Sequence, residues 1–411
     1  MGMIRTARAM LRHPVIASFL LLLIPGVSLK RWLALGAFGF AAMSVGIVFA
    51  LELSLGPGFH SFVGMLSLRD APPTVRGGVF IGIGVTVAGA ATFGLVSSLA
   101  GVWLRRRHWT FLDSLYVERV LSGGPKVVAI GGGNGLPNLL RGLKHYTSNL
   151  TAIVTAADDG GSSGRLRSEL GILPPGDIRN CLVALADSEA VMQQLMDYRF
   201  STDGQLDGHS FGNILIAALA SIGGDFYKGV EVAGELMAVR GKVVPSTFRD
   251  VTLVGRTVSG QRLIGESRVG GASERLHSLV LVPPDPPAHP DAVKAIEEAD
   301  MIILGPGSLF TSIVPNLLVR EIAAAVAGAG ALKIYVCNVA EEPGQTVGYS
   351  VADHLNVVRQ YAGDRSVDAV IANNNLPEGP SPAGLSYISP KAPENLDLFY
   401  VAADLIEEAR P

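Results

Sequence analysis

Apolar residues along this chain follow two rhythms. Over 32–53 and 78–104 they run almost unbroken, with Glu52 the one charge in the first stretch and none in the second. Past residue 125 the runs shorten. Those at 126–130, 150–154, 301–304, 333–336 and 369–372 lack polar alternation, which predicts strands buried on both faces of a parallel sheet. Between them, apolar residues recur at helical spacing over 177–186, 190–200, 210–221, 225–237 and 291–299. In the third of these helices, Ile214, Leu215, Ala218, Leu219 and Ile222 form the expected buried stripe. Strand and helix alternate, so the expected fold is α/β, a Rossmann-like, mainly parallel sheet with helices on both faces. Residues 242–282 read as a small antiparallel insertion, and proline-rich 283–290 as a rigid linker. Pro174, Pro175 and Gly176 announce a helix, with Asp177 placed to cap its free amides.

The two long stretches each approach the ~20 apolar residues that a helix needs to cross a bilayer. Arg5, Arg8, Arg12, Lys30 and Arg31 precede the first, and Arg105, Arg106 and Arg107 follow the second. The connecting residues 54–77 carry only Arg69, Asp70 and Arg76 as charges. Basic flanks stay cytoplasmic. The expectation is therefore an N-terminal transmembrane helical hairpin in the inner (cytoplasmic) membrane, multi-pass, with the main domain in the cytoplasm. Trp32 and Trp103 would mark the cytosolic interface, and the glycines at 82, 84, 89 and 94 would permit close helix packing. Residues 15–24 are apolar but too short to span, and read as interfacial or as part of the first hairpin, the competing reading being a signal-peptide core. The resulting plan is a basic segment 1–31, a hairpin 32–104, a linker 105–124 and a domain 125–411.

Composition agrees with a part in lipid. Charged residues are 17% and apolar ones 48%, against about a quarter charged in ordinary globular chains, and the apolar surplus lies before residue 105. A net charge of -3 gives no reason to expect nucleic acid as a partner. Cys181 and Cys337 fall within apolar patterns and read as buried free thiols of a reducing compartment.

The candidate chemistry sits at the ends of the predicted strands. Gly131, Gly132, Gly133, Asn134 and Gly135 end the first strand at the mouth of a helix. Without Cβ atoms, such a turn lets backbone N–H groups approach a pyrophosphate at the positive end of the helix dipole; a tight turn with no ligand is the alternative. Leu136 stands where a dinucleotide fingerprint has its last glycine, which weakens an NAD(P) reading. The second strand ends on Asp158 and Asp159, where such folds place an acid on a ribose. These acids would take ribose or sugar hydroxyls, hold a divalent cation such as Mg²⁺ beside phosphate, or merely cap the turn. Neighbours on an extended chain point apart, so they make a poor pair for proton transfer. Gly161, Ser162, Ser163 and Gly164 add amides and hydroxyls, and Arg165 and Arg167 positive charge. His209, capping Ser210 and Asn213 open a later helix, with no second ligand at zinc spacing. Gly305, Pro306, Gly307, Ser308 and Thr311 follow the 301–304 strand. Parallel strands share one carboxyl edge, so these loops should meet across a crevice. No catalytic residue is assigned, because the loops offer phosphate-binding groups without a nucleophile and base.

The ordered blocks GGGNGL, TAADDGGSSGRLR, PPGDIRN, GHSFGN and ILGPGSLFTSIVPNLLV resemble the signature of the YvcK gluconeogenesis-factor family, within the CofD-like superfamily. The resemblance spans about residues 125–375 and adds Asp177 and Asn180 to the expected site. It implies a CofD-type fold that binds a UDP-sugar such as UDP-N-acetylglucosamine, and a role in cell shape and cell-wall synthesis during gluconeogenic growth. Cell-wall synthesis or envelope proteins would be its partners, and a homodimer is left open. The sister branch, 2-phospho-L-lactate transferase, implies the competing reading of a Mg²⁺-dependent transferase; there Asp159 would match an acid on the deazaflavin. Asn134 takes a place more often held by threonine. Two departures stand out, the added N-terminal hairpin and an end at Arg410 and Pro411 near where the family continues into an arginine-bearing helix. Tyr387 is similar to a tyrosine of that region.

Overall fold

The structure is a computed structural model that describes residues 29–51, 72–104, 120–377, 385–390 and 398–406. They belong to two compact units, Met1–Ser114 and Leu115–Pro411.

In the first unit, helices Leu29–Ala50 and Pro73–Leu104 pack antiparallel, with Trp32 against Gly94, Gly39 against Ala88 and Gly77 against Ala50. A Cβ on Gly39, Gly46, Gly77 or Gly84 would lie 2.7 to 2.8 Å from atoms of the opposite helix, so glycine is what lets the backbones touch. Gly82 and Gly89 instead face open space. The segment Gly77–Gly94 is long and apolar enough to cross a bilayer, whereas Trp32–Val48 in the first helix is shorter than that requirement. The second helix begins at Pro73, inside the loop expected at 54–77. Residues 15–24, the arginines at 5, 8, 12 and 105–107, and the Trp103 side chain lie outside the described residues.

The second unit is built on a seven-stranded sheet, ordered β10-β9-β8-β7-β1-β2-β3. Its strands are β1 Val127–Gly131, β2 Leu150–Val154, β3 Lys242–Pro245, β7 Met301–Leu304, β8 Leu332–Val336, β9 Ala369–Asn373 and β10 Phe399–Ala403. Every pairing within it is parallel. Strand side chains alternate between faces, and both faces are covered. Val128 and Ile130 pack with the helices Pro290–Glu297 and Arg320–Gly328, while Val127 and Ala129 pack with Gly135–Leu143 and Gly176–Leu185. The unbroken apolar runs follow from this two-sided burial.

A separate antiparallel sheet holds β4 Thr252–Thr257, β5 Arg262–Ile264 and β6 Leu276–Val282, in the order β5-β4-β6. The insertion expected over 242–282 is therefore smaller, because β3 pairs with β2 in the main sheet. The Phe211–Gly223 helix also turns a different face inward than expected. Gly212, Asn213, Ile216, Ala217 and Ala220 are buried, while Ile222 is 83% exposed. Small residues decide this: a Cβ on Gly229 of the next helix would lie 2.5 Å from the Ala220 nitrogen, so that face alone admits a close neighbour. Leu121 is buried and its carbonyl accepts from the Ser148 N–H at 3.0 Å, so the unit takes in residues ahead of 125.

Candidate functional site

β1 lies between β2 and β7, so the connections leaving β1 and β7 diverge and open a crevice at their carboxyl ends. The glycine turns meet there. A Cβ on Gly135 would stand 2.6 Å from the Pro306 carbonyl oxygen, and one on Gly307 would stand 3.2 Å from that of Gly132. Asn316 ties the turns together, its side-chain amide donating to the carbonyls of Gly131 at 2.9 Å and Ser312 at 2.7 Å. The resulting cleft measures about 920 Å³. Gly133, Asn134 and Gly135 enter it from the first turn, Asp158 from the second, and Pro306, Gly307, Ser308 and Thr311 from the third.

The Gly133 amide is already engaged. Gly133 adopts φ +59°, and its N–H donates to Asp177 Oδ2 at 2.7 Å. This corrects the capping role expected of Asp177. The helix N-cap is Pro175, with no side-chain cap, and Asp177 reaches across to another loop instead. Burial, then the neighbouring charge of Asp158, pushes the Asp177 carboxyl up to about 6, against the Gly133 bond and Arg179. Burial also raises Asp158, whose Oδ1 accepts from the Gly160 N–H at 2.9 Å. A third acid, Glu266, enters the cleft from the short helix Glu266–Gly270 after β5. Burial and Asp158 push it up to about 7, with a Thr311 hydrogen bond opposing them. In the sequence it is no more than a lone acid after Gly265, because the tertiary fold alone brings the insertion to the crevice.

Asp159 points the other way, as adjacent acids on an extended chain should. Its Oδ1 accepts from the Ser267 N–H at 2.8 Å and hydroxyl at 2.7 Å, fastening the second loop to the insertion. Ser162 is buried, 3.0 Å from His209 Nδ1, and accepts from the Asn213 side-chain amide at 3.1 Å. Arg179 donates to Asn213 at 3.1 Å and to Asn180 at 2.7 Å. His209 and Asn213 thus belong to a network behind the second loop and do not line the cleft; Asn180 lines a smaller adjoining hollow with Asn134. Arg165 donates to the Asp207 carbonyl and Arg167 pairs with Asp250, so both guanidinium groups brace the loop. Ser163 hydrogen-bonds Asp158, Gly161 is exposed at the helix start, and Gly164 packs on the Asp159 carbonyl.

Among the described residues, no group of three or more His, Cys, Asp or Glu is placed to hold a metal ion. Asp158 and Asp177 meet the smaller demand of Mg²⁺, which takes one or two carboxylates and completes its shell with water and phosphate oxygens. Cys337 lines the cleft, yet it is 1% exposed and burial pushes its thiol up to about 12. Cys181 is free and buried as well. Neither thiol should react with iodoacetamide at pH 8 until denaturant is added; modification of the native protein would contradict this burial.

A profile of the family described as 2-phospho-L-lactate transferase CofD matches residues 127–387. A relative from Nostoc sp. is 44% identical over 366 residues, 87% of this chain and 80% of its own length. The gluconeogenesis factor of Bacillus subtilis is 46% identical over 250 residues, 61% of this chain and 79% of its own. The crystal structure of a Bacillus halodurans protein is similar with a TM-score of 0.66 at 40% identity, covering 70% of this chain and 94% of that one. In profile, in relatives matched over most of their length and in fold, the chain belongs to the CofD-like family, on the branch that holds the gluconeogenesis factors.

Proposed function

We propose that the cleft binds a UDP-sugar such as UDP-N-acetylglucosamine, and that the protein reports this ligand to cell-wall or envelope synthesis enzymes during gluconeogenic growth. The observation that carries the reading is the direct contact of two glycine turns at the carboxyl edge of a parallel sheet, with carboxylates beside them. The Gly133 to Gly135 turn and the Pro306 to Ser308 turn would flank the diphosphate, and the acids would take sugar or ribose hydroxyls. Asp177 must then yield the Gly133 amide, so binding exchanges an internal acceptor for a phosphate oxygen. The apolar helices would tether the domain to the inner membrane by one or two spans, with the site in the cytoplasm. Calorimetry of the full chain in nanodiscs with UDP-N-acetylglucosamine tests this, a saturable one-site isotherm being the expected outcome. Absence of heat at millimolar ligand, with a folded protein, would overturn it.

A second reading is favoured by the acids and by the family profile: a transferase that acts at a phosphoester with a nucleotide leaving group. Asp158 and Asp177 would hold Mg²⁺, which supplies charge neutralisation at phosphate. Recovery of only unreacted UDP-sugar, or of unreacted lactyl-phosphate-guanosine donor with a deazaflavin acceptor, under Mg²⁺ and Mn²⁺ dismisses it.

A further inference from the structure

Beyond the glycine turns and the acids Asp158, Asp177 and Glu266, the cleft has a wall of a different kind. Val336 at the end of β8 and Val339 and Ala340 just after it, with Leu139, Leu385 and Leu405, line the space with apolar side chains. Asn338, Glu341 and Glu342 are the polar residues of that wall, and Glu341 Oε1 already accepts from the Gly348 N–H at 3.0 Å. The segment is held firmly: Glu341 N–H donates to the Ser386 carbonyl at 2.9 Å, Ile388 N–H to that of Val339 at 3.0 Å, and Glu342 N–H to Thr346 Oγ1 at 2.8 Å.

Glu342 is unevenly satisfied. Its Oε1 accepts from the Ser308 hydroxyl at 2.6 Å and from the Asn338 side-chain amide at 3.3 Å. Its Oε2 is buried and has no hydrogen-bond partner. Burial raises this carboxyl, while the Ser308 hydroxyl and the Leu309 N–H hold it down. A buried acceptor left without a donor is costly, so a ligand N–H brought to Glu342 Oε2 would relieve that cost.

An apolar slot with a few fixed polar atoms at one edge suits a planar heterocycle. Ser308 belongs both to the third phosphate turn and to the Glu342 contact, so the slot begins where a diphosphate would end. We propose that this wall is the nucleobase subsite, and that Glu342 Oε2 selects bases with a ring N–H beside a carbonyl. Uracil offers N3–H and guanine N1–H to such an acceptor. Cytosine and adenine present a ring lone pair at the corresponding position, which would set acceptor against acceptor. The assignment rests on the nucleotide reading of the cleft and names its base specificity.

The test is a set of affinities on the full chain in nanodiscs, with UDP, GDP, CDP, ADP and 3-methyluridine diphosphate as probes. UDP or GDP should bind at least ~10-fold tighter than CDP and ADP, and 3-methylation should weaken UDP by at least ~10-fold. In Glu342→Gln, whose amide both donates and accepts, the gap should narrow to under ~3-fold while diphosphate binding persists and the thermal melt stays unchanged. Equal affinity of the wild-type protein for all five diphosphates would overturn the base subsite and leave the diphosphate reading standing. Failure to bind any of them would overturn both.

Discussion

Gly135→Ala is expected to weaken nucleotide binding by ~5- to ~100-fold and to lower the melting temperature by several degrees, because overpacking by one methyl costs about 1–3 kcal/mol. The added Cβ would sit 2.6 Å from the Pro306 oxygen, 2.7 Å from its carbonyl carbon and 2.8 Å from the Gly307 nitrogen. All of these are backbone atoms, so no rotamer change relieves the clash. The first and third turns must separate, and the pocket they form together opens. Gly142→Ala supplies the control, since it lies on the same helix and its Cβ would meet nothing within 4 Å. That variant should bind normally and gain about 0.5–1 kcal/mol of stability. Identical melts and affinities for the two variants would show that the turns do not depend on this contact.

The second large effect is a dependence of stability on pH that runs against the usual carboxylate trend. Asp177 is pushed from 3.8 to about 6 in the folded chain, and Glu266 from 4.5 to about 7. Between the unfolded and folded values, the native protein keeps protons that the unfolded chain releases. Their contribution to stability is therefore complete below about pH 4 and is lost as pH rises through 6 and 7. For Asp177 alone this amounts to roughly 3 kcal/mol, and the two acids interact, so their effects do not add. Asp177→Asn removes the ionisation while its side-chain oxygen can still accept from the Gly133 N–H. Urea melts from pH 4.5 to 8 should show the wild-type protein losing stability relative to this variant as pH rises. Parallel profiles would refute the buried-acid account.

The strands that carry the site were legible because two-sided burial leaves a simple trace. Val127 to Ile130 and Met301 to Leu304 have no polar residue to break the run, and their ends locate the glycine turns. β10 left no such trace, since Phe399 is 76% exposed and the strand sits at the sheet edge. Residues that act across long separations were less readable. Asp177 satisfies the local rule for a helix start, yet its oxygen bonds an amide 44 positions earlier. Glu266 and Glu342 belong to no phosphate-loop motif, and only the folded chain brings them to the cleft. His209 illustrates the reverse. Its place at a helix mouth suggested a ligand contact, whereas its ring nitrogen lies against buried Ser162.

The paired helices of the first unit carry notches at Gly39 and Gly46 on one side and at Gly77 and Gly84 on the other. Each pair is spaced by two helical turns, so the helices are keyed like two cogged rails. One inserted residue in either would rotate everything beyond it by about 100° and swing the next notch away from its counterpart. Point substitutions at outward positions such as Gly82 and Gly89 are thus cheap, whereas a change of length by a single residue would unseat the whole pair.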